Sequence, residues 1–544
     1  MRIAFISPPP LKPSEPGLSA GSAAQLVRTL GGQASYLDAS IGWHRYVLAP
    51  ERLRYAARRG GVLGGKPSAD RHVERIVSAF ARQPPALRRT ETYRDRRRYS
   101  SAIAELEAAL RLVSSPHAGL RLGVAMLALS APRRLESSET LSALAHADGP
   151  FDEYFRNELV GQLAEQGVTH VAISLTFQQQ APAALRLAAL LAAELPAVER
   201  ILGGPLVDCW QAVGLELERE PFSLFHRVVS GSDATLAALA RGQEVGGDAA
   251  AAGARLLAAT DQGPRTVDLD EVSWGDYLTP LPIVPAALGR GCYWRRCTFC
   301  PDHLHPRHQA CSADQLSRWL RAVAARFPTG AMLHLTDSAL PPRHLGELAE
   351  RTAAERLPLR WHGFVRVEPE LGDEAFVRQL AAGGCALLQL GVESASERLL
   401  ERMGKGASAA LASQAVQTAA RLGIRCQVYL LFGLPGETDD DREQTLRWVE
   451  DNASAIAAIN PALLNLPRGS PMHRNPERFG ISRLVPFGAT TDLSLYDDFW
   501  CAESHPRTEA RRWLARRFFK SPAVRAIGAS LHVPFKANHL CFLD

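Results

Sequence analysis

Three cysteines crowd into the run Gly289-Arg-Gly-Cys-Tyr-Trp-Arg-Arg-Cys-Thr-Phe-Cys300: Cys292, Cys297 and Cys300. Thiolates this close in sequence can hold one soft metal centre. Four would close a tetrahedral structural zinc site or fill every corner of a cubane cluster, whereas three leave a coordination position free. If the metal is iron in a four-iron cluster, the open iron can chelate a small molecule. An aromatic, Phe299, sits just before the last cysteine. Zinc is the competing reading, because His303, His305 and His308 follow closely and a Cys3His site is sterically thinkable.

Such a loop needs elements that hold it. From Ile283 onward, strand-like runs alternate with helical ones: 283–288, 331–336, 359–366, 386–392, 424–432 and 462–466, with a helix over 407–422 closed by Gly423. Six strand–helix units make an incomplete parallel barrel over 283–475. In such barrels the chemistry sits at the carboxyl ends of the strands, and the three cysteines follow the first of them. Polar residues occupy the later ends in order: Thr336-Asp337-Ser338, Arg366, Glu393-Ser394, and Gly433-Leu-Pro-Gly436-Glu437-Thr438. Each has a local alternative. Gly433 to Gly436 is an ordinary turn sequence, Glu393 suits a helix N-terminus, and Asp337 suits an N-cap. Their ordered recurrence at successive strand ends is what the local alternatives explain poorly.

The first 245 residues show the same alternation. A short apolar strand over 2–7 ends in Pro8-Pro9-Pro10, and a helix-compatible run over 22–30 leads to a second strand ending at Leu37. Strand 168–174, helix 182–195 and Ile201-Leu-Gly203-Gly204 follow. This predicts a parallel, doubly wound, Rossmann-type sheet. A helical, arginine-rich insertion spans about 51–140, its Arg94 and Arg96 to Arg98 reading as a solvated helix face. Alanine and glycine without periodicity mark 246–261 as part of a linker over 246–282. Residues 476–544 form a small C-terminal extension on the substrate side, without repeats.

The cysteine loop resembles the cluster motif of the radical S-adenosylmethionine (SAM) enzymes. Its first gap of four residues, Tyr293 to Arg296, departs from the family's usual three. Gly391-Val-Glu393-Ser394, Met403-Gly-Lys-Gly406 and Gly433 to Thr438 are similar to stretches of cobalamin-type members. Ser174-Leu-Thr176 and Gly203-Gly204 resemble their cobalamin-binding fold, and Leu269 to Trp274 their link to the cluster domain. The resemblance implies a 4Fe-4S cluster on Cys292, Cys297 and Cys300. It implies SAM near Thr336, Asp337, Arg366, Glu393, Ser394, Gly433, Gly436 and Glu437. It also implies cobalamin near Ser174, Thr176, Gly203 and Gly204, where the Ser/Thr loop meets the nucleotide tail. The histidine that ligates cobalt in some cobalamin domains is missing from Asp38-Ala-Ser40-Ile-Gly42; the nearby His44 is expected to pack with Trp43 and Tyr46.

Composition limits the remaining choices. The chain has 544 residues and a net charge of +5, with 62 basic and 57 acidic residues, too balanced to argue for nucleic acid. Only Lys12, Lys66, Lys405, Lys520 and Lys536 are lysines. No run reaches the roughly 18–20 apolar residues of a membrane span. Nine cysteines with three clustered suit a reducing cytoplasm and a metal site. Cys385 and Cys426 read as packing, as does Cys501; Cys209, Cys311 and Cys541 have no supporting context. By resemblance, the expected activity is cobalamin-dependent methyl transfer to an unactivated carbon of a small-molecule or peptide substrate. SAM is then cleaved reductively with electrons from an external donor such as flavodoxin or ferredoxin. Two alternatives stay open: a cobalamin-free radical SAM enzyme doing hydrogen abstraction or rearrangement, and a non-enzymatic zinc-binding module.

Overall fold

Short runs rich in Ile, Val, Phe and Leu, each followed by enough chain for a helix, build parallel sheets because the connecting helix must return across a sheet face. A computed structural model describes residues 1–64, 67–82, 85–243, 263–301, 308–488, 490–502, 504–528, 535 and 537–543. The chain divides into two compact units. One comprises residues 1–285, with 488–494 and the residues from Phe542; the other comprises 286–487 and 495–541. The segment 246–261, His303 and His305 lie outside the described residues.

In the first unit, β1 (Arg2–Ile6), β2 (Gln33–Leu37), β3 (Leu120–Gly123), β4 (Met126–Leu129), β5 (His170–Ser174), β6 (Glu199–Gly203) and β7 (Arg227–Val228) are followed by the two-residue β8 (Arg265–Thr266). The main sheet runs β2-β1-β5-β6-β7, with every pairing parallel. Its order reverses between β1 and β5, which is where open α/β sheets form a crevice beyond the strand ends. Ile3, Phe5, Ala172 and Ile201 on the strands bury against Ala20, Ala24 and Val27 of the helix Leu18–Thr29 and Leu236 and Leu239 of the helix Asp233–Ala240. The 3–4 spacing of Ala20, Ala24 and Val27 makes one narrow apolar face, and two alanines let the helix sit close to the sheet. The arginine-rich insertion is not wholly helical. β3 and β4 form an antiparallel hairpin, its turn made by Val124 and by Ala125 at φ +50°.

The second unit begins within β9 (Ile283–Ala287), followed by β10 (Gly289–Arg290), β11 (Gln309–Ala310), β12 (Ala331–Leu335), β13 (Leu359–Arg366), β14 (Cys385–Glu393), β15 (Arg425–Phe432) and β16 (Ala458–Leu463). β9, β12, β13, β14, β15 and β16 are neighbours in that order, and the pairs from β12 to β16 are parallel. Helices Ala313–Arg326, Pro342–Ala354, Glu374–Ala382, Ala409–Arg421 and Asp439–Asp451 alternate with them, the partial-barrel arrangement the sequence predicts. β14 is almost wholly buried, as expected of a central parallel strand covered on both faces. The last strand starts at Ala458, four residues before its expected start. It contains Pro461, which a strand at this sheet edge tolerates because no further ladder needs its missing N–H. β17 (Leu466–Pro467), β18 (Arg483–Pro486) and β19 (Tyr496–Trp500) form a small antiparallel sheet in the order β17-β19-β18. Among the described residues no helix is long and apolar enough to cross a membrane.

Candidate metal centre

Cys292, Cys297 and Cys300 lie on the excursion between β10 and β11. The antiparallel pairs Gly289↔Ala310 and Arg290↔Gln309 tie that excursion at its base. Gly289 is required there, since a Cβ would stand 2.9 Å from the Gln309 carbonyl oxygen. All three cysteines are half-buried and unoxidised, and Cys300 N–H donates to Cys297 O at 3.2 Å, closing a tight turn.

The long first gap has a structural use. Gly291 at φ +70° and Arg295 at φ +54° bend the chain so that Tyr293 and Trp294 reach different anchors. The Tyr293 hydroxyl donates to Glu368 Oε1 at 2.6 Å, and Trp294 Nε1 donates to Gly404 O at 2.8 Å. The Trp294 ring lies against Gly406, where a Cβ would come within 2.2 Å of it, and a Cβ on Gly404 would stand 2.4 Å from Arg296 O. Thr298 completes the docking: its N–H donates to Met403 O at 2.9 Å and its hydroxyl to Arg402 O at 3.1 Å. Phe299 packs on a buried cluster that includes Leu399, Leu400, Met403 and Phe499. Residues 402–406 are therefore the seat of the cysteine loop, and their glycines are what let it approach.

Three residues at strand ends face the same loop. Asp337, 6 % exposed, accepts from Leu288 N–H at 3.0 Å and Gly289 N–H at 2.7 Å, fixing the chain just before the cysteines. Burial pushes its carboxyl up to about 6 against the pull of these two amides. Arg366, at the end of β13, is 4 % exposed. Its guanidinium donates through Nε to Glu368 (2.9 Å), through Nη2 to Lys405 O, and through Nη1 toward Cys297 Sγ (3.8 Å), and it lies 3.9 Å over the Trp294 ring. Glu393, at the end of β14, has φ +67° beside a register shift, and pairs with buried Lys405 at 2.9 Å. Burial raises the Cys297 thiol, while the charges of Lys405 and Arg366 favour its thiolate.

The remaining expected residues split between exposed and committed groups. Thr336 is half-buried, with its hydroxyl donating to Ala286 O at 3.2 Å. The Ser394 hydroxyl is buried, shared with Thr445 and the Ser396 N–H. Gly433 and Gly436 take φ +77° and +73°. Glu437 accepts from Gly433 N–H at 2.6 Å and Arg442 Nε at 3.0 Å, and burial raises its carboxyl to about 7. Thr438 caps the helix Asp439–Asp451. In the first unit, the Ser174 hydroxyl donates to Ser19 Oγ (2.8 Å) and Thr176 N–H to Gln180 Oε1 (3.0 Å). A Cβ on Gly204 would fall 2.6 Å from Leu175 O, and one on Gly203 would fall 3.2 Å from Val229 O. Asp38 caps Ser40 and Ile41 and accepts from the Tyr36 and Tyr277 hydroxyls, a structural use of every oxygen it has. His44 is buried edge-on to Trp43, and burial lowers its imidazole to about 4. Cys385, Cys426 and Cys541 are buried, and Cys501 packs beside the Phe299 cluster.

Sequence reasoning passed over Trp294 and Glu368, and it quoted Lys405 without a role. Lys405 had a usable signal: in a chain with five lysines, one set between two glycines just after the helix Glu397–Arg402 stands out.

The donor set, three thiols on one loop with two cations nearby, fits a thiolate-bound iron–sulfur cluster. Among the described residues no three His, Cys, Asp or Glu side chains already converge on a single metal-ion position. Thiolates of a cubane bind different irons, so they stand further apart than the ligands of one ion.

Residues 287–449 match the family model of the Radical SAM superfamily. An uncharacterised methyltransferase of Pyrococcus horikoshii, PH0819, is 26 % identical over 199 residues; the match covers 34 % of this chain and 43 % of that protein, less than half its length. Among solved structures, the cobalamin-dependent SAM radical enzyme OxsB with aqua-cobalamin and SAM bound has a TM-score of 0.48 at 14 % identity, covering 70 % of this chain and 65 % of that one. The radical SAM methyltransferase TsrM of Kitasatospora setae, with cobalamin and a [4Fe-4S] cluster bound, has a TM-score of 0.41 at 18 % identity, covering 59 % and 70 %. The part of the chain that matches the Radical SAM superfamily therefore spans the cysteine loop and the strand ends that hold it.

Proposed function

We propose that this enzyme holds a 4Fe-4S cluster on Cys292, Cys297 and Cys300, cleaves SAM reductively, and transfers a methyl group by way of cobalamin to an unactivated carbon of a small-molecule or peptide substrate. The observation that carries this reading is the docking of the three-cysteine loop onto residues 402–406 and the ends of β13 and β14. Bound there, the chemistry a cluster supplies is one-electron reduction of the SAM sulfonium, and cobalamin supplies a methyl-carrying cobalt.

The chain's own residues prepare the site. Asp337 holds the approach to the loop through two backbone amides, and Trp294 and Phe299 wall it with apolar surface. Asp337 has both carboxylate oxygens, Ser394 its hydroxyl and Glu437 its Oε2 committed within the protein. Thr336 and Glu393 each hold one internal partner, Ala286 O and Lys405, and with the backbone of Gly433 to Gly436 they are the groups offered to SAM. Glycines at φ near +75° give a backbone that a flat base can approach closely. Holding the reacting atoms in line and excluding water is the protein's share of the rate. The expected setting is the cytoplasm, with an external donor of the flavodoxin or ferredoxin kind.

One observation favours a second reading, hydrogen abstraction without a methyl carrier. Ser174 and Gly204 already meet Ser19 and Leu175, so neither is kept open for a cofactor. Anaerobic purification and reconstitution, with iron, sulfide and cobalt analysis, separates the two. About four irons per chain, lost in the Cys292/Cys297/Cys300→Ala variant, with cobalt retained, is the expected result. Iron without cobalt selects the second reading, and zinc alone overturns both.

A further inference from the structure

A buried cation, Arg366, stands behind one of the three thiols, and a second, Lys405, is bonded to it through its carbonyl oxygen. Arg366 and Lys405 are 4 % and 5 % exposed, and burying a charged group this far is costly unless it is paired. Among the described residues each pairs with one carboxylate, Glu368 for Arg366 and Glu393 for Lys405. The two are linked, since the Arg366 guanidinium donates to the Lys405 carbonyl oxygen. What remains of the Arg366 fork points at Cys297 Sγ, with its plane held by the Trp294 ring beneath it. Tyr293 also bonds Glu368, so the loop that carries Cys297 fixes the arginine's counter-ion as well.

A pairing needed only for folding would not require a guanidinium N–H aimed at a sulfur. A shell that governs a cluster's electron affinity would. Reduction adds one electron and one unit of negative charge to the cluster. Fixed positive charge and N–H donors at a ligating sulfur stabilise the reduced state more than the oxidised one.

We propose that Arg366 is a positioning residue that raises the reduction potential of the cluster held by Cys292, Cys297 and Cys300, acting chiefly through Cys297. This deepens the proposed function and rests on its cluster assignment. It also gives Arg366 a partner other than SAM.

The test is a potentiometric titration of the full-length, reconstituted protein, read by electron paramagnetic resonance without SAM or substrate. A low-potential chemical reductant supplies the electron, and iron and sulfide are measured first. Arg366→Gln should keep the cluster and move its midpoint to more negative potential. Arg366→Lys, which keeps the charge, should recover most of the shift. Glu368→Gln, which keeps the cation and removes its counter-charge, should move the midpoint the other way. It also decides the matter if Arg366→Gln fails to load iron. Loaded variants with unshifted midpoints, or Arg366→Lys shifting as far as Arg366→Gln, overturn the proposal and leave the cluster assignment standing. A wild-type protein that takes up no iron–sulfur cluster overturns the assignment itself.

Discussion

The two units end their parallel strands differently. In the second unit, Asp337 past β12 reaches residues 288–289 and Arg366 at the end of β13 reaches Cys297, while Glu393 at the end of β14 reaches Lys405 in the seat of the cysteine loop. In the first unit, the corresponding residues bond to the helix and turns that pack on their own sheet. Ser174 meets Ser19, Thr176 meets Gln180, and Gly204 packs on Leu175. The same topology can thus spend its strand ends on preorganising a reactive loop or on closing the sheet. A fold alone does not say which.

Crowding at glycines gives the largest expected effects. Gly406→Ala puts a methyl group into the Trp294 ring at a residue with φ +67°, and should cost about 2–4 kcal/mol with most of the iron uptake lost. Gly204→Ala, with φ +104° and Leu175 backbone at 2.6 Å, should cost a similar roughly 2–4 kcal/mol. Iron uptake should survive it, so thermal unfolding alongside metal analysis reads the contrast between the units. Gly436→Ala is the control, because its Cβ meets nothing nearer than the end of Arg402 at 3.8 Å. It should show only the φ strain, about 1–2 kcal/mol.

Asp337→Asn comes next. The amide keeps one acceptor but sets an NH2 against the second backbone N–H, for an expected loss of about 1.5–3 kcal/mol at neutral pH. Its pH signature is distinctive. The folded carboxyl titrates at about 6 rather than the ordinary 3.8, so the folded state binds its proton more tightly than the unfolded one. That contribution is present at low pH and is lost as pH rises from about 4 through about 6. Melting temperature across that range should fall in wild type on this account, and Asp337→Asn should flatten the fall. An unchanged slope would mean the carboxyl is not held as described.

The smallest effect belongs to the first unit. Ser174→Ala removes one hydroxyl pair and should cost about 1 kcal/mol by denaturant unfolding. If cobalt retention also drops sharply, Ser174 meets a cofactor in addition to Ser19, and the contrast between the units narrows.

Much of this was legible in advance. Strand ends could be read because apolar runs stop where polar or glycine residues begin: β13 closes at Arg366, and β15 closes at Phe432 just before Gly433. Caps could be read as well, with Thr438 doing for its helix what its position suggests. The hairpin inside the arginine-rich insertion was missed because four-residue strands show too few alternations to stand out from helical sequence. The true start of β16 was missed because Pro461 reads as a breaker until the strand is known to lie at the sheet edge.

Local chemistry on the chain determined which groups exist: three thiols on one loop, an ordered series of polar strand ends, and a single lysine between two glycines. These follow from residue type and short-range periodicity, which the sequence carries directly. Only the tertiary structure decided what each group faces. The Trp294 contact with Gly404 and Gly406, and the aim of Arg366 at Cys297, join residues far apart in sequence through strand register and loop docking. Two of the polar strand ends, Asp337 and Arg366, turned toward the loop itself because its amides and sulfur lie within reach and would otherwise be buried without partners.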